Sequence, residues 1–290
     1  MESPKIIGEI GCNHKGDFEI AKEMILIAKQ FCKIDFVKFQ KRNPKECLPE
    51  KLFNAPHPVQ ENSYGESYGQ HREFLEFDRD QHQELKEFCD SVGIGYSCSV
   101  WDVTSAKDII SLNPSIIKVP SACNSNHKIL GYLCDHFPGE IHISLGMTNH
   151  QEEEDTLNFL KNKNRNKDTV LYACTSGYPV PPKDVCLLEI TRLRDAYEND
   201  VKAIGFSGHH VGVAIDIVAY VLGAQWIERH YTLDRTWKGT DHAASLEPEG
   251  LRRVARDTKV AQEALTFKNQ EILGIEETQR KKLKEIYFNY

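Results

Sequence analysis

Short apolar runs alternate with longer amphipathic stretches along this chain. The runs span residues 6–10, 36–39, 95–98, 116–119, 141–144, 170–173, 203–206 and 226–228. They read as strands. Strands that are apolar throughout, rather than at every second residue, are covered on both faces, as in a parallel sheet. Parallel neighbours need a crossover, and the intervening stretches have helical spacing. Ile20, Met24, Ile27 and Ala28 share one helical face behind Asp17, a side chain suited to an N-cap, and Leu251, Val254, Ala255, Val260 and Ala261 do the same near the end. Eight strand–helix repeats predict an α/β fold, a single (β/α)8 TIM barrel over residues 1–268.

Two segments depart from this rhythm. Residues 41–78, after the second strand, are long, charged and marked by Pro, Asn and Gly. Such an insertion is either a substrate lid or a tolerated surface excursion. Residues 269–290 form a short, charged, helix-compatible tail rather than a separate domain. The NKNRNK sequence after Leu160 reads as an exposed loop, and the acidic run from Glu152 to Asp155 as a solvated helix start. His71 and His82 sit in polar sequence and are expected to be exposed.

The length of 290 residues suits one barrel and a small extension. A net charge of -7 argues against nonspecific nucleic-acid binding, while leaving room for a local basic pocket. The nine cysteines form no CxxC pair, so a thiolate zinc site is not expected. Their odd number and the lack of a secretory leader or membrane span fit a reduced, cytoplasmic protein.

Barrel chemistry takes place at the C-terminal strand ends, and polar residues recur there. Glu9 and His14 belong to the first strand end, Lys38 and Gln40 to the second, and Ser99 and Asp102 to the third. Lys118 and Ser121 follow at the fourth, Ser176 and Tyr178 at the sixth, and Ser207, His209 and His210 at the seventh. His230 ends the eighth strand, and Asp241 lies in the loop beyond. His209 and His230, 21 positions apart, would meet at one rim. There they would either bind a divalent transition metal or simply hydrogen-bond within the mouth. Lys38 and Lys118 are anion ligands, snorkelling rim residues or, for one of them, a Schiff-base lysine. Glu9 is a proton-transfer group or a lysine's partner.

These residues lie in segments that resemble the sialic acid synthase family, the N-acylneuraminate and N-acylneuraminate-9-phosphate synthases. The segments are IIGEIGCNHKGD, VKFQK, SYGQHREFLEF, IKVPSACNSN, ISLGM, CTSGYPVP, IGFSGHHVGVAI and IERHYTLDRTWKGTDHAASLEP, in family order from residue 6 to 248. The resemblance implies a divalent metal, Mn2+ with Mg2+ or Co2+ as alternatives, held by His209 and His230. It implies phosphoenolpyruvate on Lys38, Ser99, Lys118, Ser121, Ser176 and Ser207, and an N-acyl amino sugar near Gln40, Tyr178 and Asp241. Glu9 falls on the family's acidic residue, so Glu9, His230 and Asp241 form the expected catalytic set. The implied reaction joins phosphoenolpyruvate to N-acetylmannosamine, its 6-phosphate or a related sugar, giving a sialic acid or its 9-phosphate. Lys41, Arg42 and Arg72 are the cations placed to meet an acceptor phosphate.

Three departures from the family pattern bear on the acceptor. The family's C-terminal antifreeze-like domain, which lends an arginine to the partner's site, has no counterpart in the 290 residues, so a homodimer contact, the 41–78 segment or a separate protein would have to replace it. Cys123 stands where relatives carry an acid, and Ser99 where many carry threonine. Two rival readings remain: another phosphoenolpyruvate-dependent or lyase-type aldol barrel, and a non-catalytic barrel subunit. The presence of Glu9, Lys38, Lys118, His209 and His230 together speaks against the second.

Overall fold

Eight parallel strands close on themselves in sequence order, β1 against β8, with helices on the outside. The computed structural model describes residues 3–284 and 287. The strands are β1 (Lys5–Gly11), β2 (Phe36–Lys41), β3 (Gly95–Val100), β4 (Ile116–Val119), β5 (Glu140–Ser144), β6 (Thr169–Cys174), β7 (Ala203–Gly208) and β8 (Trp226–His230). Between and after them run α1 (Phe18–Ile27), α2 (Pro44–Cys47), α3 (Glu50–Phe53), α4 (Tyr68–Leu75), α5 (Arg79–Val92), α6 (Val103–Ser111), α7 (His127–His136), α8 (His150–Asn162), α9 (Glu189–Tyr197), α10 (Ala214–Val221), α11 (Pro248–Ala264) and α12 (Gly274–Gln279). The (β/α)8 barrel expected from the apolar runs is therefore the fold, and each run lies within a strand.

The alternation of side chains along each strand divides the molecule into two cores. One set, including Ile6, Ile10, Val37, Phe39, Ile117 and Ile143, points outward and packs under the helices. Helix α1 buries Ala21, Met24 and Ile25 against it; of the face expected behind Asp17, Met24 and Ala28 are buried, while Ile20 and Ile27 are only partly covered. Each fully buried side chain of the Met24 or Ile25 size contributes about 1.5–3 kcal/mol. Asp17 caps this helix, accepting from the amides of Glu19 and Ile20. The other set points into the barrel. Its lower end is apolar, formed by Ile7, Ile116, Val170, Tyr172, Ala203 and Trp226 with Phe36 against them. This plug closes the floor, so the polar residues one step further along each strand face a space open only at the C-terminal end.

The 41–78 segment is not a featureless loop. It folds into α2, α3 and α4 and covers one side of the barrel mouth. His71 and His82 are buried rather than exposed. His82 lies on the inner face of α5 with its Nδ1 2.8 Å from the Tyr96 hydroxyl, and the His71 Nδ1 accepts from the Tyr64 amide. Polar neighbours in sequence did not reveal which helical face each histidine occupies. The acidic start of α8 is likewise only partly solvated, because Glu153 is buried against Arg192. In the NKNRNK stretch, α8 continues to Asn162, and Arg165 donates to the carbonyls of Cys134, Phe137 and Gly139. The 269–290 tail holds α12 after a non-helical stretch at 269–273, and residues 285, 286 and 288–290 lie outside the described residues. Among the described residues no helix is long and apolar enough to cross a membrane, and all nine cysteines are free.

Candidate active site

Strand register assembles the site. Glu9 is level with Lys38 on β2 and with His230 on β8; Gln40 is level with Ser99, and Ser99 with Lys118. Ser207 is level with Glu228. Together with the loops that follow β4, β6 and β8, these strands enclose a cavity of about 320 Å³. Glu9, Lys38, Gln40, Ser99, Lys118, Ser121, Ser176, Tyr178, Ser207, His209, His230 and Asp241 all line it. Three residues suspected from sequence do not. His14 stacks on Phe77 beneath the mouth, His210 packs beside Arg229 and Asp216, and Asp102 caps α6.

At the base of the cavity lies a buried chain of charges. Lys38 Nζ is 2.5 Å from Glu9 Oε2 and 3.8 Å from Glu228 Oε2, and it donates to Ser99 Oγ at 2.6 Å. Lys118 Nζ is 2.6 Å from Glu228 Oε1 and stands 4.2 Å above the Tyr172 ring. The Ser207 hydroxyl donates to Glu228 at 3.1 Å, and the Gln40 amide to Glu9 at 2.8 Å. Burial acts on every member. It pushes the Glu9 carboxyl up, against the pull of Lys38, so Glu9 is the acid readiest to hold a proton. Burial also opposes ionisation of Glu228, but Lys118 and Lys38 together outweigh it and hold that carboxyl well below its ordinary range. Lys118 is pushed down by burial that Glu228 only partly offsets, whereas the two carboxylates beside Lys38 overcome burial and raise it. Two buried ammonium groups with hydroxyls beside them are the kind of donor set that can receive an anion.

Sequence reasoning missed Glu228. It reads as an ordinary end of an apolar run, yet it bridges both lysines; its spacing two residues before His230, hence on the same inward face, was the available signal. Arg42, Arg72, Trp101 and Cys174 also line the cavity. Gly146 is required by close approach: a Cβ there would lie 2.4 Å from Ser176 Oγ and 2.7 Å from Ser121 Oγ, and its amide donates to Ser121.

The two rim imidazoles meet, their ring centroids 5.3 Å apart, with the Tyr178 ring tilted against His209 at 4.4 Å. His209 Nδ1 donates to the Thr175 carbonyl, and, against burial, the Cys174 thiol and that carbonyl raise the ring's pKa. His230 Nδ1 is buried with no hydrogen-bond partner among the described residues, 3.8 Å from Asp241. Burial lowers the His230 ring to about 4, so it is neutral and able to ligate near neutrality. Among the described residues no three His, Cys, Asp or Glu side chains are grouped to hold a metal. Two imidazoles at one rim, one of them with a buried Nδ1 that has no hydrogen-bond partner among the described residues, are a donor set that would suit a divalent transition metal.

Two buried ammonium groups at the C-terminal mouth of a (β/α)8 barrel, with a pair of imidazoles at the rim, are the equipment of an enzyme acting on a small anionic substrate. Comparison with known proteins makes this specific. The NeuB family model matches residues 24–270. N-acetylneuraminate-9-phosphate synthase of Homo sapiens is 37% identical over 278 residues, covering 96% of this chain and 76% of that protein. N,N'-diacetyllegionaminic acid synthase of Campylobacter jejuni is 36% identical over 266 residues, 91% of this chain and 78% of that protein. Among solved structures, the N-acetylneuraminic acid (sialic acid) synthetase of Leptospira borgpetersenii, in complex with citrate, superposes with a TM-score of 0.81 at 27% identity, covering 98% of this chain and 93% of that one. The chain belongs to the NeuB family and is a sialic acid synthase-like enzyme.

Proposed function

We propose that this enzyme condenses phosphoenolpyruvate with the open-chain aldehyde of an N-acyl amino sugar, forming a nine-carbon 2-keto acid and inorganic phosphate. The observation that carries the reading is the buried pair Lys38 and Lys118, each already held against a carboxylate at the base of a cavity whose rim bears His209 and His230. The names of the relatives, synthases of sialic and legionaminic acids, agree with it.

In this reading Lys38, Lys118 and the hydroxyls of Ser99, Ser121, Ser176 and Ser207 hold the phosphate and carboxylate of phosphoenolpyruvate. C3 of the enol then attacks the sugar C1, the aldehyde oxygen takes up a proton, and positive charge develops at C2. Water adds to C2, losing a proton, and the tetrahedral intermediate expels phosphate together with the bridging oxygen. The lysines balance the substrate's charge throughout, so little reorganisation is needed as charge moves. Glu9, raised toward its protonated form and hydrogen-bonded by Gln40, exchanges the proton at the reacting centre. Tyr178 and Asp241 orient the sugar at the rim. A divalent ion on His209 and His230, Mn2+ or else Mg2+ or Co2+, supplies Lewis acidity toward the aldehyde oxygen when bound. The reaction belongs in the cytoplasm, where nine free thiols stay reduced. Phosphate release that requires both phosphoenolpyruvate and an N-acyl amino sugar tests the reading; release with phosphoenolpyruvate and an unrelated aldehyde alone would favour another aldol barrel.

A further inference from the structure

The apolar floor under the two lysines contains a buried polar column. His142, level with Lys118 on the neighbouring strand β5, is fully buried, and its Nδ1 lies 2.8 Å from the Tyr172 hydroxyl on β6. Its Nε2 faces Glu140 Oε2 at 3.6 Å, and the Trp226 ring stands edge-on to it at 4.7 Å. Glu140, at the start of β5, is paired in turn with Lys202 at 2.8 Å. Burial holds the imidazole below its ordinary range, against the pull of Glu140, so the ring carries one proton. The carboxylate draws that proton to Nε2, and Nδ1 then accepts from the phenol. The Tyr172 ring is seated in a notch on β7: a Cβ at Gly205 would lie 2.7 Å from two of its carbons. The Lys118 ammonium sits 4.2 Å from the centre of that ring.

We propose that Tyr172, with its hydroxyl fixed by His142, is a positioning residue that holds the Lys118 ammonium charged and in place for phosphoenolpyruvate. This rests on the synthase reading of the cavity. Burial drives Lys118 toward its neutral form, and Glu228 only partly opposes this. Lys38 is compensated differently, by two carboxylates, Glu9 and Glu228. A second carboxylate at Lys118 would cancel the charge that an anionic substrate needs. A ring face attracts the ammonium without adding a negative charge of its own. The bond to Glu228 Oε1 at 2.6 Å uses one of the three N–H groups, which leaves the others for substrate. A phenol that donates its hydrogen to an imidazole gains electron density, which strengthens the face turned to Lys118.

The test titrates phosphoenolpyruvate calorimetrically into wild type, Tyr172→Leu and Tyr172→Phe, the last also with one, two or three fluorines on the new ring, and takes kcat and KM from phosphate release. Tyr172→Leu should weaken binding about 2–30-fold, the range of a cation–π contact, and Tyr172→Phe should recover most of that loss. KM should rise with Kd while kcat changes less, because the bound anion then keeps Lys118 ionised. Each fluorine drains the ring face at nearly constant shape and should raise Kd further, so the series decides the matter even if Tyr172→Leu does not fold. His142→Val should weaken binding in the tyrosine enzyme but not in Tyr172→Phe. Equal Kd across the fluorinated series overturns the proposal, and so does a folded Tyr172→Leu that binds as wild type does. An equal effect of His142→Val in both backgrounds removes His142 from it. If wild type binds no phosphoenolpyruvate, the synthase reading itself fails and the inference falls with it; if wild type binds and the series is flat, only the inference fails.

Discussion

Replacing Lys118 by methionine tests the electrostatics of the cavity base. The change keeps an unbranched stem over the Tyr172 ring but removes an ammonium 2.6 Å from Glu228, leaving that buried carboxylate with Lys38 at 3.8 Å and the Ser207 hydroxyl at 3.1 Å. Breaking a buried pair from one side costs about 3–5 kcal/mol, because the remaining charge is desolvated and poorly compensated. Lys38 offsets part of this, so the lower end, about 3 kcal/mol, is expected. The double variant Lys118→Met, Glu228→Leu removes both charges and should recover most of that loss. Neither variant should turn over at a useful rate, since one charged contact to substrate is gone; the loss in kcat should be on the order of 10²–10³. Urea unfolding of wild type, both singles and the double gives the coupling energy, and phosphate release gives the rate. Additive single losses, with a double variant no more stable than Lys118→Met, would refute the argument.

Three further outcomes follow from the same geometry. His209→Ala should lose manganese binding, read by the free-ion EPR signal, together with nearly all turnover; an active, metal-free variant would remove His209 from its role. Phosphoenolpyruvate labelled with 18O at the bridging position should deliver the label to inorganic phosphate, and label retained in the keto acid would exclude C–O cleavage. Burial lowers His14 and His82 to about 3 each, below an unfolded value near 6.5, so the unfolded chain binds more protons as pH falls. Their stability contribution is complete above about pH 6.5 and shrinks toward pH 3; between pH 7 and 5 each should take away about 2 kcal/mol. His82→Gln should therefore lose less stability over that interval than wild type, and identical losses would show that His82 is not held neutral.

The barrel was legible because its strands are covered on both faces and read as uninterrupted apolar runs, eight of them, with helical spacing between. The site was legible for a related reason. Lys38, Lys118, Ser207 and His230 each break an apolar run near its end, and a polar residue there has only the barrel mouth to enter. Glu228 escaped because its run is short and its partners, Lys38 and Lys118, are remote in sequence; register alone brings them together. His71 and His82 were misjudged because helix orientation is set by tertiary packing, which a polar local sequence does not report. The 41–78 segment could not be read at all by period. Its helices α2 and α3 have only four residues each, too short for a hydrophobic face to repeat; α2 is tied by Glu46 and Cys47 to residues 101–104 after β3, and α3 packs against α4.

The central claim is that Lys38 and Lys118 hold phosphoenolpyruvate beneath an aldehyde placed at the His209–His230 rim. Its most direct measurement is the mass of the product formed from phosphoenolpyruvate, manganese and N-acetylmannosamine or its 6-phosphate, with phosphate measured in the same tube. The account predicts a nine-carbon keto acid equal in mass to acceptor plus pyruvate, with one phosphate released per molecule. Phosphate released without a joined product, or a joined product formed as readily from free pyruvate, would contradict it.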